Sequence, residues 1–142
     1  MNSRKLLSSV ALVGLLGMAA CSDKKDAPIS KEAFVTQANA LCSELNAHLD
    51  PIAAAVSSDE EGIAFLADEF VPGLRNTTSQ IRALGFPKGD EALLEGLLND
   101  TEALLTSIAA DPVTFAQATE SPFADINAQL VTYGLTVCGG DN

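Results

Sequence analysis

The sequence is poor in the residues from which most catalytic and metal sites are built. Among its 142 residues it has one histidine, His48, one tyrosine and no tryptophan. A single histidine excludes the histidine clusters of zinc and di-iron centres. The chain also lacks a Cys-x-x-Cys-His haem site, a Gly-x-Ser-x-Gly elbow and a Walker loop. We therefore expect no catalysis, no metal site and no cofactor. Glu44 precedes His48 by four residues, which predicts a surface pair on a helix.

Positive charge is scarce and unevenly placed. The formal net charge is −11, and no lysine or arginine occurs from residue 32 to 74 or after Lys88. Nucleic-acid binding needs a basic footprint, so nucleic acid is excluded as a partner. The acidic residues are many, but none follows the spaced Asp/Asn-Gly pattern of a calcium loop.

Long apolar runs are also lacking. The longest mainly apolar run, Leu6 to Ala20, follows Arg4 and Lys5 and spans fifteen residues, whereas a membrane-spanning helix needs roughly 20. A basic start, a short apolar middle and small residues at the exit are typical of a signal peptide. Met18 and two alanines precede Cys21, which resembles the lipobox of bacterial lipoproteins, although that family usually has leucine where Met18 stands. An ordinary secreted protein and an uncleaved anchor are the alternatives.

The lipobox resemblance divides the chain into three parts. Residues 1–20 are the expected signal peptide, residues 21–29 the lipidated Cys21 with a tether, and residues 30–142 the domain. In the family, the cysteine receives a diacylglycerol and becomes the first mature residue. The mature chain keeps six basic residues against all nineteen acidic ones, a formal net charge of −13. Its length suits one compact domain.

Four segments from Ser30 onward carry apolar residues at helical spacing. Ser30 is expected to cap the first segment, and Asp50-Pro51 to interrupt it, with a further turn over residues 52–56 as the alternative. Ser58 and Glu61 open the second in capping-box spacing. Pro72 is expected to kink this second helix.

The second half of the chain gives the remaining helices. Asp90 begins the third segment, and Asp111-Pro112 predicts a short helix over 113–118. Ser121-Pro122 opens the fourth, which is expected to run to Gly139-Gly140. Few stretches alternate in the manner of strands. The predicted fold class is all-α, an up-down-up-down four-helix bundle.

Two of the three cysteines remain if Cys21 carries lipid. Cys42 and Cys138 are then the single pair available for a disulfide outside the reducing cytoplasm. This bond would join the end of the last helix to the middle of the first. Two buried free thiols are the alternative.

Three stretches carry a resemblance to a known group. FVTQANALCSELN, IRALGFPKGDEALLEGLL and YGLTVCGG resemble small uncharacterised lipoproteins and secreted proteins of actinobacteria. Those chains place one cysteine in the first helix of the domain and another in a closing Tyr-Gly…Cys-Gly stretch. The resemblance implies a lipid anchor, a cysteine pair and an all-helical domain, and it implies no activity.

These observations predict a lipid-anchored binding or assembly module of the bacterial cell envelope. The resemblance to actinobacterial proteins favours the outer face of the plasma membrane. In a Gram-negative cell the expected location is the outer membrane, because Ser22 rather than aspartate follows Cys21. Its expected partners are the membrane, reached through the anchor, and an envelope protein or polymer. The alternative is a carrier of a small apolar ligand, since a break at Pro72 would leave room between the helices.

One end of the predicted bundle is acidic. In an up-down bundle the turns at residues 50–60 and 110–122 lie away from the tether, and the lysines and arginines are expected at the opposite, lipid-facing end. The candidate partner face comprises Asp59, Glu60, Glu61, Asp111, Glu120 and Asp125. These residues serve either solubility and helix capping or the attraction of a basic partner.

Overall fold

The computed structural model describes residues 28–140, and the segments assigned to the signal peptide and Cys21 lie outside this range. Within the described range the chain is helical and contains no strand, so the all-α prediction is confirmed. The helices are α1 (Lys31–Ala55), α2 (Asp59–Phe65), α3 (Val71–Ala83), α4 (Glu91–Ala110), α5 (Pro112–Ala116), α6 (Ala124–Tyr133) and α7 (Thr136–Gly139), with a π-helical turn (Leu66–Phe70) between α2 and α3.

Helix α1 begins as predicted and ends later than predicted. The Ser30 hydroxyl accepts a hydrogen bond from the Ala33 N–H at 3.2 Å and caps the helix. The expected interruption at Asp50-Pro51 is wrong, and the alternative of a further turn is correct, because α1 continues through Pro51 to Ala55. Proline removes the donor that would bond the carbonyl of Ala47. Ala47 and Pro51 are both exposed, so water can satisfy that carbonyl.

The break expected at Pro72 takes the form of a π-helical turn. The Ser58 hydroxyl accepts from the Glu61 N–H, which caps α2 as predicted. The Leu66–Phe70 turn then leads directly into α3, whose first turn contains Pro72. A π-helical turn spaces the backbone more widely than an α-helical one. Pro72, which has no N–H to donate, lies directly after this change in backbone spacing.

Helix α5 begins as its Asp-Pro pair predicts, because Asp111 caps it through the Thr114 N–H. The stretch that follows α5 forms two helices, α6 and α7, instead of the one predicted. Helix α6 ends at Tyr133 because Gly134 adopts a left-handed conformation with φ of 116°. The predicted continuation to Gly139-Gly140 is wrong, and the short α7 occupies that stretch.

The core consists of two clusters at opposite ends of the domain. The cluster at the Tyr133 end joins the start of α1 to the end of α6 and to α7; its buried members are Phe34, Ala38, Cys42, Ile81, Leu94, Leu98, Tyr133 and Leu135. The cluster at the Phe115 end joins the π-helical turn to α4, α5 and α6; its buried members are Leu66, Val71, Leu105, Ile108 and Phe123, and Phe115 packs against them.

Candidate functional site

The three stretches that carry the family resemblance meet at the Tyr133 end. The Phe34 ring lies 6.0 Å from Phe86 and 6.2 Å from Tyr133 between centroids, edge-on to both. The Tyr133 hydroxyl donates a hydrogen bond to the Asp90 carboxylate at 2.6 Å. Asp90 directly precedes α4, as predicted, and its side chain makes no cap hydrogen bond to that helix. These contacts give the three stretches a shared structural role.

A disulfide and one asparagine hold α7 against α1. Cys42 and Cys138 are disulfide-bonded, with their Cα atoms 5.1 Å apart. Asn39, one turn before Cys42, donates its amide to the Gly134 carbonyl at 3.1 Å and accepts from the Val137 N–H at 3.0 Å. The cysteine pair was predicted, whereas Asn39 was missed. The only signal for Asn39 in the sequence is its position three residues before Cys42, in one of the stretches that carry the resemblance.

Tyr133 is held in its protonated form. Burial raises the pKa of Tyr133 well above its ordinary value, and the hydrogen bond and negative charge of Asp90 raise this pKa further. The Lys31 ammonium lies 4.0 Å from the centre of the Tyr133 ring. The phenol therefore acts as a hydrogen-bond donor that links α6 to the start of α4.

The six predicted acidic residues are all exposed. Helix α2 packs against α5, which brings Asp59, Glu60 and Glu61 to the same end as Asp111. The list is completed by Glu120, which follows α5, and Asp125, in the first turn of α6.

Two of these acids have a capping role. The Glu61 carboxylate accepts from the hydroxyl and the N–H of Ser57, both at 2.7 Å, and these bonds lower the pKa of Glu61. The Asp111 carboxylate accepts from the Thr114 hydroxyl and N–H, which lowers the pKa of Asp111. Capping therefore accounts for Glu61 and Asp111 without a partner.

The arginines are engaged along the side of the domain. Arg75 pairs with Glu102 at 2.8 Å, and Arg82 lies 3.3 Å from Glu95. The Arg82 guanidinium also donates to Asn99 at 2.7 Å. Both arginines thus bridge α3 and α4.

His48 contacts a different acid from the one expected. Its Nε2 lies 3.3 Å from the Glu69 carboxylate, so it links α1 to the π-helical turn rather than pairing with Glu44. Between residues 28 and 140, no group of three or more His, Cys, Asp and Glu side chains is arranged to hold a metal ion.

A small cavity lies between α3, α4, α6 and α7. Its volume is about 60 Å³, and Thr78, Thr101 and Leu135 are among its lining residues. Both threonine hydroxyls donate to carbonyls of their own helices. Pockets for small ligands usually measure about 300–1,000 Å³. This cavity is too small for a lipid or a cofactor.

Larger clefts open on the surface: two lie at the Phe115 end, and one of about 300 Å³, with Lys31, Leu93 and Tyr133 in its lining, lies at the Tyr133 end. The α1–α2 cleft measures about 350 Å³ and is lined by Ile52, Ala55, Val56, Glu61, Ala64, Phe65, Asp68 and Glu69. The α5 groove measures about 300 Å³ and is lined by Leu104, Ser107, Ile108, Asp111, Thr114, Phe115, Ala118 and Pro122. Both clefts therefore lie at the end that carries the predicted acidic face.

Comparisons of the chain with protein families, with curated proteins and with solved structures gave no match. No helix within residues 28–140 is long and apolar enough to cross a membrane.

Proposed function

We propose that this chain is a lipid-anchored binding or assembly module on the outside of a bacterial cell, of the actinobacterial lipoprotein type. The Cys42–Cys138 disulfide carries the proposal. Disulfides persist outside the reducing cytoplasm, so the bond supports export of the domain. It also leaves Cys21 as the third cysteine, directly after a run that is typical of a lipoprotein signal peptide.

The proposed arrangement is an up-down-up-down four-helix bundle. Its four members are α1, the unit of α2 with the π-helical turn and α3, then α4 and α6. The ion pairs Arg75–Glu102 and Arg82–Glu95 support antiparallel packing of α3 and α4, since residue numbers rise along one helix as they fall along the other. The Tyr133–Asp90 hydrogen bond joins the end of α6 to the start of α4 and supports the same relation there.

This topology gives the two ends of the domain different environments. Helix α1 begins at the Tyr133 end, and its cap, Ser30, follows Cys21 by nine residues. Nine residues span at most about 30 Å even when fully extended, at roughly 3.3 Å per residue. The Tyr133 end therefore stays close to the proposed anchor, and the Phe115 end points away from the membrane.

The Phe115 end is the proposed partner face. Residues 32–74 and 89–142 contain no lysine or arginine, so the elements that form this end carry negative charge without a compensating base. The small interior cavity supports a packed core and favours this function over the carriage of an apolar ligand. The proposed face comprises Asp59, Glu60, Glu61, Asp111, Glu120 and Asp125.

Replacement of Cys21 tests the anchor. We expect Cys21→Ala to abolish incorporation of labelled fatty acid and to leave the precursor uncleaved or release the domain. Ser22→Ala is the matched control, because it changes the neighbouring residue and keeps the thiol. Normal processing and membrane retention of Cys21→Ala would falsify the lipobox assignment.

Neutralisation of exposed acids tests the partner face. The test variant combines Asp59→Asn, Glu60→Gln and Glu120→Gln, and it leaves the capping carboxylate of Glu61 intact. We expect this variant to form fewer crosslinks to envelope partners in living cells. We also expect the yield of these crosslinks to depend less on salt concentration. A variant neutralised at three exposed acids outside this face, Glu32, Glu44 and Asp100, controls for total charge, and unchanged crosslinks in the test variant would refute this face.

A further inference from the structure

The α1–α2 cleft has an apolar floor that the protein itself leaves open. Helix α1 extends past Pro51 to Ala55, and after a short turn α2 runs back beside it. The floor between them includes Ile52, Val56 and Phe65, which are half-buried. The cleft's volume of about 350 Å³ lies within the range of small-ligand pockets, about 300–1,000 Å³. Apolar side chains from a partner would find room here.

Negative charge borders this floor. Three carboxylates, those of Glu61, Asp68 and Glu69, line the cleft. Glu61 is bonded to Ser57, and Glu69 lies beside His48, while Asp68 is exposed. Residues 32–74, which build the whole cleft, contain no lysine or arginine. The cleft therefore combines an apolar surface with a negative potential.

The chemistry of the cleft selects its occupant. An anionic lipid surface is repelled by these carboxylates and, in the proposed topology, lies at the other end of the domain. An amphipathic helix of a protein offers aliphatic side chains for the floor and basic side chains one turn away for the rim. Such a helix would cover the apolar floor and pair with the rim carboxylates at the same time.

We propose that the α1–α2 cleft is a docking site for a basic amphipathic segment of a partner protein. An aliphatic side chain of the segment packs on Val56 and Phe65, and a lysine or arginine one turn along pairs with Asp68. The inference rests on the proposed function, because it names the kind of partner that meets the acidic end. It adds a specific groove to a face that was otherwise defined by charge alone.

A peptide titration tests the site. The probe is a fluorescent helical peptide of leucine and lysine with one apolar face, and its affinity is measured by anisotropy. The protein is the full mature chain, oxidised at Cys42 and Cys138, with Cys21→Ala so that lipid does not bind the peptide. We expect saturable binding, loss of binding when glutamate replaces lysine in the peptide, and weaker binding when glycine replaces leucine.

Two variants locate the binding on the protein. Asp68→Asn removes the exposed rim charge and is expected to weaken binding about threefold. Ala64→Trp covers the floor and is expected to weaken it about tenfold. The controls Asp100→Asn and Ala103→Trp change an exposed acid and an exposed alanine on α4 and are expected to leave the affinity unchanged. Thermal unfolding checks that each variant is folded.

The outcomes separate this site from the wider partner face. Wild-type affinity in both Asp68→Asn and Ala64→Trp would overturn the cleft as the docking site. If the variant at Asp59, Glu60 and Glu120 then lost binding, the acidic face would stand without the cleft. Spermidine binding as tightly as the peptide would also overturn the proposal, because a small organic cation would then suffice.

Discussion

Removal of the disulfide is predicted to destabilise the domain strongly. The bond closes a loop of 96 residues. Loss of the constraint on the unfolded chain costs about 4.7 kcal/mol in the chain-entropy relation. The folded state should persist, because Asn39 still bonds the Gly134 carbonyl before α7 and the Val137 N–H within it. We therefore expect the variant Cys42→Ala with Cys138→Ala to unfold at a temperature lower by about 15–20 °C.

Chemical and thermal unfolding measure this loss. The variant and the oxidised wild type are unfolded in urea and by heat, and circular dichroism follows the helices. Wild-type protein reduced with dithiothreitol is the control, and its transition should coincide with that of the double alanine variant. A loss of less than about 1 kcal/mol would refute the reasoning, because it would mean that the cross-link hardly restricts the unfolded chain.

Three further predictions concern the Tyr133 end. Tyr133 is the chain's one tyrosine, so absorbance titration should show no tyrosinate in the folded protein at pH 10. The pKa of Tyr133 is raised on folding, so the stability that Tyr133 contributes is present below the unfolded pKa of about 10 and is lost as the pH rises above it. The decline in the free energy of unfolding with rising alkaline pH, measured in urea, should therefore be smaller in Tyr133→Phe. Asn39→Ala should cost about 2 kcal/mol in urea unfolding, whereas Gln37→Ala, exposed on α1, should cost little. Gly134→Ala should cost about 1 kcal/mol or more in the same assay, because alanine strains at a φ of 116°.

The sequence predicted the helix starts better than the helix ends. Ser30, Ser58 and Asp111 act through their own side chains on N–H groups three residues ahead, so a local pattern suffices. The extent of α1 and the course of the chain after α6 depend on more than a local pattern. Pro51 is tolerated because Ala47 and Pro51 are exposed, so water can satisfy the affected carbonyl. The chain after α6 is fixed by Asn39, almost a hundred residues earlier.

The same distinction applies to the candidate site. The cysteine pair followed from counting the cysteines, and the exposure of the six acids followed from their charge. The α1–α2 cleft was not predicted, because its opening depends on how far α1 continues past Pro51 and on the angle at which α2 returns. Tertiary packing sets both quantities, and no local sequence pattern records them.

The disulfide also decides how the domain carries a mechanical load. A pull applied between Ser30 and Gly140 passes from α1 through the bonded sulfurs into α7 and bypasses the residues from 43 to 137. Without the disulfide, that stretch could unfold under tension and extend to a length of roughly 300 Å, at about 3.3 Å per residue. With the bridge intact this length stays locked, and only the short segments outside the loop can extend under tension.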